Sequence, residues 1–387
     1  MPEISYTTQT LQKLVQINSV NPGLAPNGPG EKEISLFIKQ MLEVLDIPAE
    51  LDEIAPGRFN VIGRIKGAGG GSSLMLNAHT DTVGVDGMDE PFSGRIEGDR
   101  LYGRGSYDMK GGAAAMLGAA KLLKESGIKL KGDLILTFVA DEEYESIGAM
   151  ELARKISADA AIVTEPTDLN LCPAHRGFGI FTIKTKGETA HGGRHQEGID
   201  ANLMMGKLLS KLSDLSTKIT QTKTHDLCGE ASLHVPIING GRSLFIYSSE
   251  CTINVERRTL PGETLDDITG ELQGLISELK KEDECFQAEL SCDIWRQPYE
   301  SDHSSGLFSI CKEATEQVMG STPGTIGHTW WEDSAIFGEA GIDTIIMGPQ
   351  GAGIHEEVEW VDLESVDTLA DILFRTARQF CGTSESG

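Results

Sequence analysis

Several stretches of this chain place His, Asp and Glu where metal or acid–base chemistry needs them. His79-Thr80-Asp81 follows an apolar run at 74–78, and Asp108 sits in the glycine-rich stretch 103–112. Asp141-Glu142-Glu143 follows the run 134–140, Glu165 follows 160–164 and precedes Pro166, and His355 lies in the loop after 342–347. A side chain just beyond a strand of an α/β sheet stands at the rim where such folds bind ligands. Two imidazoles, Asp108, Glu165 and one of Glu142 or Glu143 form a mixed N/O donor set suited to zinc, cobalt or manganese. Five ligands are arranged most economically as two metals sharing one carboxylate. Adjacent carboxylates point in different directions, so one of Glu142 and Glu143 can bind metal while the other acts as general base. Asp81 can hold the second nitrogen of His79 and fix its tautomer. Alone, each stretch fits a plain role such as a strand-end His, a capping Asp or a solvated acidic turn.

Competing chemistries are weaker. The 103–112 loop precedes a helix and so could cradle an anion, but it has no Walker spacing and no GxGxxG after a strand. There is no GxSxG elbow, and no cysteine sits in a nucleophile motif.

The elements that must position these residues read as an α/β protein. Short buried-strand runs at 60–65, 74–78, 134–140, 160–164 and 342–347 alternate with helical patterns at 31–45, 113–124, 148–156 and 363–380. The middle differs. Residues 179–186, 251–257 and 288–295 alternate apolar and polar, with helices at 201–212 and 265–279 between them, as in a smaller α+β domain with one covered sheet face. The expected arrangement is a discontinuous catalytic domain (1–176 and 298–387) with a mixed sheet flanked by helices, interrupted by an inserted domain at 177–297.

Net charge is −26, which repels phosphate backbones and anionic lipid, so neither nucleic acid nor membrane is an expected partner. No run of 18 or more apolar residues occurs. The seven cysteines are odd in number and form no CxxC pair, which argues for free thiols in a reducing compartment. Residues 1–5 lack the features of a signal peptide, and a cytoplasmic location is the expectation.

Taken in order, Ile17-Asn18-Ser19-Val20-Asn21-Pro22, His79-Thr80-Asp81-Thr82-Val83, 103–112, Asp141-Glu142-Glu143, Glu165-Pro166, Arg258-Thr259-Leu260-Pro261-Gly262-Glu263 and His355 resemble the metallohydrolases that include acetylornithine deacetylase, succinyl-diaminopimelate desuccinylase, aminoacylase and glutamate carboxypeptidase. The resemblance implies that His79 and Glu165 hold one divalent ion, Glu143 and His355 a second, and Asp108 both, with zinc the first choice and cobalt or manganese the alternatives. It implies Glu142 as general base toward the water between the ions, and Asp81 as the residue orienting His79. The middle segment resembles the family's lid and dimerisation domain. There His191 would reach the second subunit's site of a homodimer and bind the oxyanion, and Arg258 would bind the substrate carboxylate through its fork. Three departures fall in this lid: His195 where many relatives have Pro, Asp200 where many have Asn, and no Pro in 244–249 after Gly240-Gly241. Trp330 and Trp331 are candidates for lining a pocket or for packing.

The expected activity is metal-dependent removal of an acyl group from a small N-acyl amino acid, acetylornithine deacetylase-like. The alternative is exopeptidase or carboxypeptidase action on dipeptides or C-terminal residues. A catalytically silent metal-binding dimeric scaffold is more remote, because function is argued from the site and the whole donor set is present.

Overall fold

A computed structural model describes residues 4–384. The chain forms two compact units. One comprises residues up to Pro173, Ser301–Ile326 and Glu332 onward; the other comprises Ala174–Glu300 and Gly327–Trp331. The principal strands are β1 (Ala49–Ala55), β2 (Arg58–Ile65), β3 (Leu74–His79), β4 (Leu134–Val139), β5 (Ala160–Val163), β6 (Leu171–His175), β7 (Gly177–Lys186), β8 (Ser232–Gly240), β9 (Glu250–Thr259), β10 (Ala288–Arg296) and β11 (Asp343–Ile346). The helices are α1 (Tyr6–Gln16), α2 (Lys32–Val44), α3 (Gly111–Ser126), α4 (Ile147–Lys155), α5 (Ala201–Thr222), α6 (Leu265–Glu282), α7 (Gly306–Met319), α8 (Ser334–Glu339) and α9 (Leu363–Phe380).

The first unit carries a mixed sheet in the order β1-β2-β4-β3-β5-β11-β6. Its central strands β3, β4, β5 and β11 run parallel, and the outer ones antiparallel. Parallel strands are covered on both faces, which is why β3, β4 and β5 are mostly apolar and buried throughout. Helix α3 packs against α1 and α9. Their crossing depends on Gly118, where an added Cβ would lie 2.3 Å from Thr7 Cγ2 and 3.0 Å from Ala370 Cβ. Helix α9 buries Val366, Leu369, Leu373 and Ala377, the stripe its spacing predicts.

The second unit is an antiparallel sheet in the order β8-β9-β7-β10, with its own core shared with α5 and α6. Its strands alternate: in β9, Cys251, Ile253, Val255 and Arg257 point to the buried side. The mixed α/β architecture with a smaller α+β unit is the one the patterning predicts.

Three features differ from the sequence reading. Helix α5 continues well past residue 212, because Leu215 and the buried Ile219 prolong its apolar stripe among Ser, Thr and Lys that mask the period. Strands β1 and β8 are edge strands, half-exposed or exposed at most positions, so neither shows a clean alternation. Helix α7, absent from the sequence reading, buries Leu307, Phe308, Cys311, Ala314 and Thr315 on one face. All seven cysteines are free thiols. Among the described residues, no helix is long and apolar enough to cross a membrane.

Candidate metal centre

Strand register brings the distant donors together. In β3 and β4, His79 pairs with Val139, so His79 and the Asp141-Glu142-Glu143 turn leave the sheet side by side. Asn77 of β3 pairs with Val163 of β5, which in turn pairs with Ile346 of β11. Glu165 and the loop to His355 therefore leave at the same parallel edge, the carboxyl end where α/β sheets bind ligands. Asp108 arrives from an irregular turn, Ser106–Lys110, at the entrance to α3. Gly112 permits this approach: a Cβ there would sit 2.3 Å from the Thr164 carbonyl oxygen.

The donors face one another. His79 Nε2 lies 3.1 Å from Asp108 Oδ1 and 3.4 Å from Glu165 Oε1. His355 Nε2 lies 3.2 Å from Asp108 Oδ2 and 3.0 Å from Glu143 Oε2. The two oxygens of Asp108 thus serve different imidazoles, as a bridging carboxylate must. Donor atoms of His79, Asp108 and Glu143, and separately of His79, Glu142 and Glu165, fall within 4.8 Å of one another. His79 Nδ1–H donates to the Asp81 carbonyl oxygen at 3.0 Å, which leaves Nε2 facing Asp108 and Glu165. The Asp81 carboxylate has a second task. It stands 3.7 Å from Nδ1, and it accepts the backbone N–H of Glu142 at 3.1 Å and of Glu143 at 3.2 Å.

The electrostatics are those of a site built for cations. Burial, only partly offset by His79, pushes the Glu142 carboxyl well above its usual range, with Asp333, Glu143 and Asp108 adding to the rise. Burial does the same to Glu165, against His79 and with Asp108, Glu142 and Glu332. Glu143 is raised to about 7 by burial and Asp108, against the pull of His355 and His79. Burial would raise Asp108 too, but its bonds to His355 and His79 hold it well below the carboxylate range. His355 is raised to about 10 by its bonds to Asp108 and Glu143. Burial opposes charge on His79, yet Glu165, Asp108 and Glu142 outweigh it and lift the ring well above its ordinary value. Negative charge crowded this way is relieved either by taking up protons or by binding cations. The spacing suits the second. Ligands about 2.0–2.1 Å from a tetrahedral zinc stand about 3.3 Å from each other, close to the separations above.

Other supports carry no motif signal of their own. Asn21 Nδ2 donates to Asp81 at 2.7 Å and to Asp141 at 3.0 Å, joining the turns of the two carboxylates. Arg58 grips Glu31 through two nitrogens and Asp141 through one, at 2.8 Å for the latter. Asp141 and His355 adopt left-handed backbone, φ 74° and 60°, which non-glycine residues hold only where surroundings enforce it. Lys110 is fully buried and donates to the Ile17 carbonyl; burial, against Glu359 and Asp81, lowers it to about 7. Of these, Asn21, Lys110, Asp141 and His355 lay within stretches carrying the family resemblance. Arg58, Glu31 and Glu359 gave no local sign.

The remaining candidates lie in the second unit. His191 is exposed, and its Nδ1 accepts the Gly193 N–H at 3.1 Å. Arg258 is half-buried, paired with Glu256 and 5.0 Å over the Phe178 ring. Asp200 caps α5, accepting the N–H of Asn202 and Leu203 at 2.9 and 3.3 Å, and His195 is exposed. Trp330 stacks on His328 at 4.2 Å and is 41% exposed, whereas Trp331 donates its indole N–H to Gln297 and lies under Arg296.

Comparison with known proteins bears on the family and the fold. Residues 75–379 match the model of peptidase family M20/M25/M40. An acetylornithine deacetylase from Proteus mirabilis is 25% identical over 96% of this chain and 95% of its own. Among solved structures, aminopeptidase PepT from Bacillus cereus superposes with a TM-score of 0.80 at 19% identity, covering 97% of this chain and 98% of that one. A Bacillus subtilis protein described as a dinuclear metal binding peptidase of family M20 superposes at 0.74 and 18% identity, with 96% of each chain covered.

Proposed function

The chain belongs to peptidase family M20/M25/M40 and is a metallohydrolase, and from that premise we propose that it removes an acyl group from a small N-acyl amino acid. The observation that carries the reading is the split of Asp108, one oxygen toward His79 and the other toward His355. In this reading His79 and Glu165 hold one ion, His355 and Glu143 the other, and Asp108 both. The ions would be zinc, with cobalt or manganese as substitutes. When bound, they would polarise the scissile carbonyl and acidify the attacking water.

This chain's residues do the rest. Glu142, whose carboxyl lies near His79 and Glu165 but makes none of the imidazole contacts above, takes the proton of the attacking water and returns it to the leaving amine. Burial raises its proton affinity, which favours the first of these transfers, from water to carboxylate. Asp81 holds the His79 ring by its carbonyl and the Glu142-Glu143 turn by its carboxylate. Arg258 grips the substrate carboxylate, and His191 serves the oxyanion of a second copy's site. The homodimer this requires is supported by edge strand β8 and the loop after it, where Ile237, Ile238, Leu244 and Phe245 are 50%, 54%, 93% and 73% exposed. The free thiols suit a cytoplasmic setting.

Deacylation is favoured over peptidase action by the near-full-length similarity to an acetylornithine deacetylase, against structural neighbours whose lower identity speaks to fold alone. The test is turnover of N-acetylornithine and other N-acyl amino acids beside a dipeptide and tripeptide panel, after chelation and re-addition of Zn2+, Co2+ or Mn2+. Deacylation that vanishes with chelation and returns with metal supports the proposal. Peptide cleavage alone replaces it with the exopeptidase reading, and undiminished activity of the stripped protein ends it.

A further inference from the structure

Glu359 has no local motif, yet its carboxylate is among the most heavily bonded groups near the centre. Oε2 accepts the Gly105 N–H at 2.9 Å and the Arg104 guanidinium at 2.7 Å. Oε1 accepts the N–H of Tyr107 at 2.9 Å and of Asp108 at 3.1 Å. The glycine-rich loop thus forms a nest of backbone donors, the concavity that in other proteins takes a phosphate, and here the chain's own carboxylate fills it. Left-handed Gly105, at φ 78°, turns the amides inward, and an added Cβ there would lie 2.7 Å from Thr82 Cγ2. Arg104 is 3% exposed and Glu359 1%, so the pair is fully desolvated.

Arg104 ties a second loop into the same knot. Its Nη2 donates to the Glu356 carbonyl at 2.9 Å and its Nε to the Gly84 carbonyl at 3.0 Å, while the Gly103 N–H donates to the Glu359 carbonyl at 3.1 Å. Glu356 follows His355, and Tyr107 precedes Asp108. One buried ion pair therefore fixes both sides of the His355–Asp108 contact, whereas His79 ends β3 and Glu165 lies two residues past β5.

We propose that Arg104 and Glu359 are positioning residues that set the separation of Asp108 and His355, and so the affinity of the ion these two would share. The proposal rests on the metal-centre reading above. Neither residue touches that ion, and each acts through backbone. A planar guanidinium that serves one carboxylate and two backbone carbonyls at once is rigid where a lysine's single point charge is not.

The test is Zn2+ titration of the full chain against a chromogenic chelator, without substrate, for wild type, Glu359→Gln, Arg104→Ala and Arg104→Lys. The visible spectrum of Co2+-loaded protein is a second readout. Glu359→Gln keeps the shape but replaces an acceptor by a donor facing the nest. Expected is a tenfold or greater weakening of one of two binding events, a smaller change in the other, and an altered Co2+ spectrum. Arg104→Lys should fall between wild type and Arg104→Ala, and it decides the matter should the other variants not fold. Both binding events within twofold of wild type, with only Tm lowered, would overturn the proposal, as would equal weakening of both events. A wild type that binds two ions but cleaves no amide would reject the activity and leave the clamp standing, whereas a wild type that binds no ion would sink both.

Discussion

Replacing Glu142 by Gln should separate catalysis from metal binding and from stability, with opposite signs. The side chain sits near His79 and Glu165, but the imidazole contacts run to Asp108, Glu143 and Glu165, and the turn is held by the Glu142 backbone N–H on Asp81. The amide is isosteric and leaves all of these in place, so both ions should stay bound. What disappears is one proton-transfer group, worth roughly 10²–10⁴ in rate, or about 3–5 kcal/mol of barrier. Stability moves the other way. Burial raises the folded-state pKa of Glu142, so the folded protein binds the proton more tightly than the unfolded chain. Such a group costs stability once pH exceeds the unfolded value, and the cost grows until pH passes the folded value. Metal-free Glu142→Gln should therefore melt higher than metal-free wild type at pH 7, with a flatter pH dependence above pH 5. The assay is kcat on the responsive substrate, metal content by elemental analysis, and Tm of the stripped proteins. More than a tenth of wild-type kcat with both metals present would refute the role of Glu142 as general base. A lower Tm for the stripped variant would refute the electrostatic account.

Arg58→Met leaves the carboxylates of Glu31 and Asp141 buried without their shared cation, and should destabilise by roughly 3–5 kcal/mol; urea unfolding of the variant and of Arg58→Lys checks this. Metal affinity should rise with pH between about 7 and 10, since Glu143 at about 7 and His355 at about 10 must shed protons to bind a cation. Calorimetry in buffers of different ionisation enthalpy should show proton release at pH 7, and its absence would contradict a protonated His355 in the metal-free protein. Arg258→Ala should raise KM at least tenfold with kcat changed less, and an unchanged KM would remove Arg258 from substrate binding.

Much of the frame was legible in the chain itself. Mostly apolar runs such as Leu-Ile-Leu-Thr-Phe-Val in β4 declare strands buried on both faces, and the alternation of β9 declares one covered face. Donor types and their places just past strands were equally visible. Edge strand β8 was not, because its Pro236 and exposed positions belong to a strand with one free side.

The sequence by itself determined which donors exist, and that several follow parallel strands. Only the tertiary structure decided which oxygen meets which nitrogen. The pairing of Asp108 with His355, and of both with the Arg104–Glu359 clamp, spans more than half the chain and leaves no periodic trace. Helix and strand patterns repeat because neighbours share a face. A carboxylate in a nest of amides is specified once, by strand register and by closing a long loop, and register is set by the whole sheet.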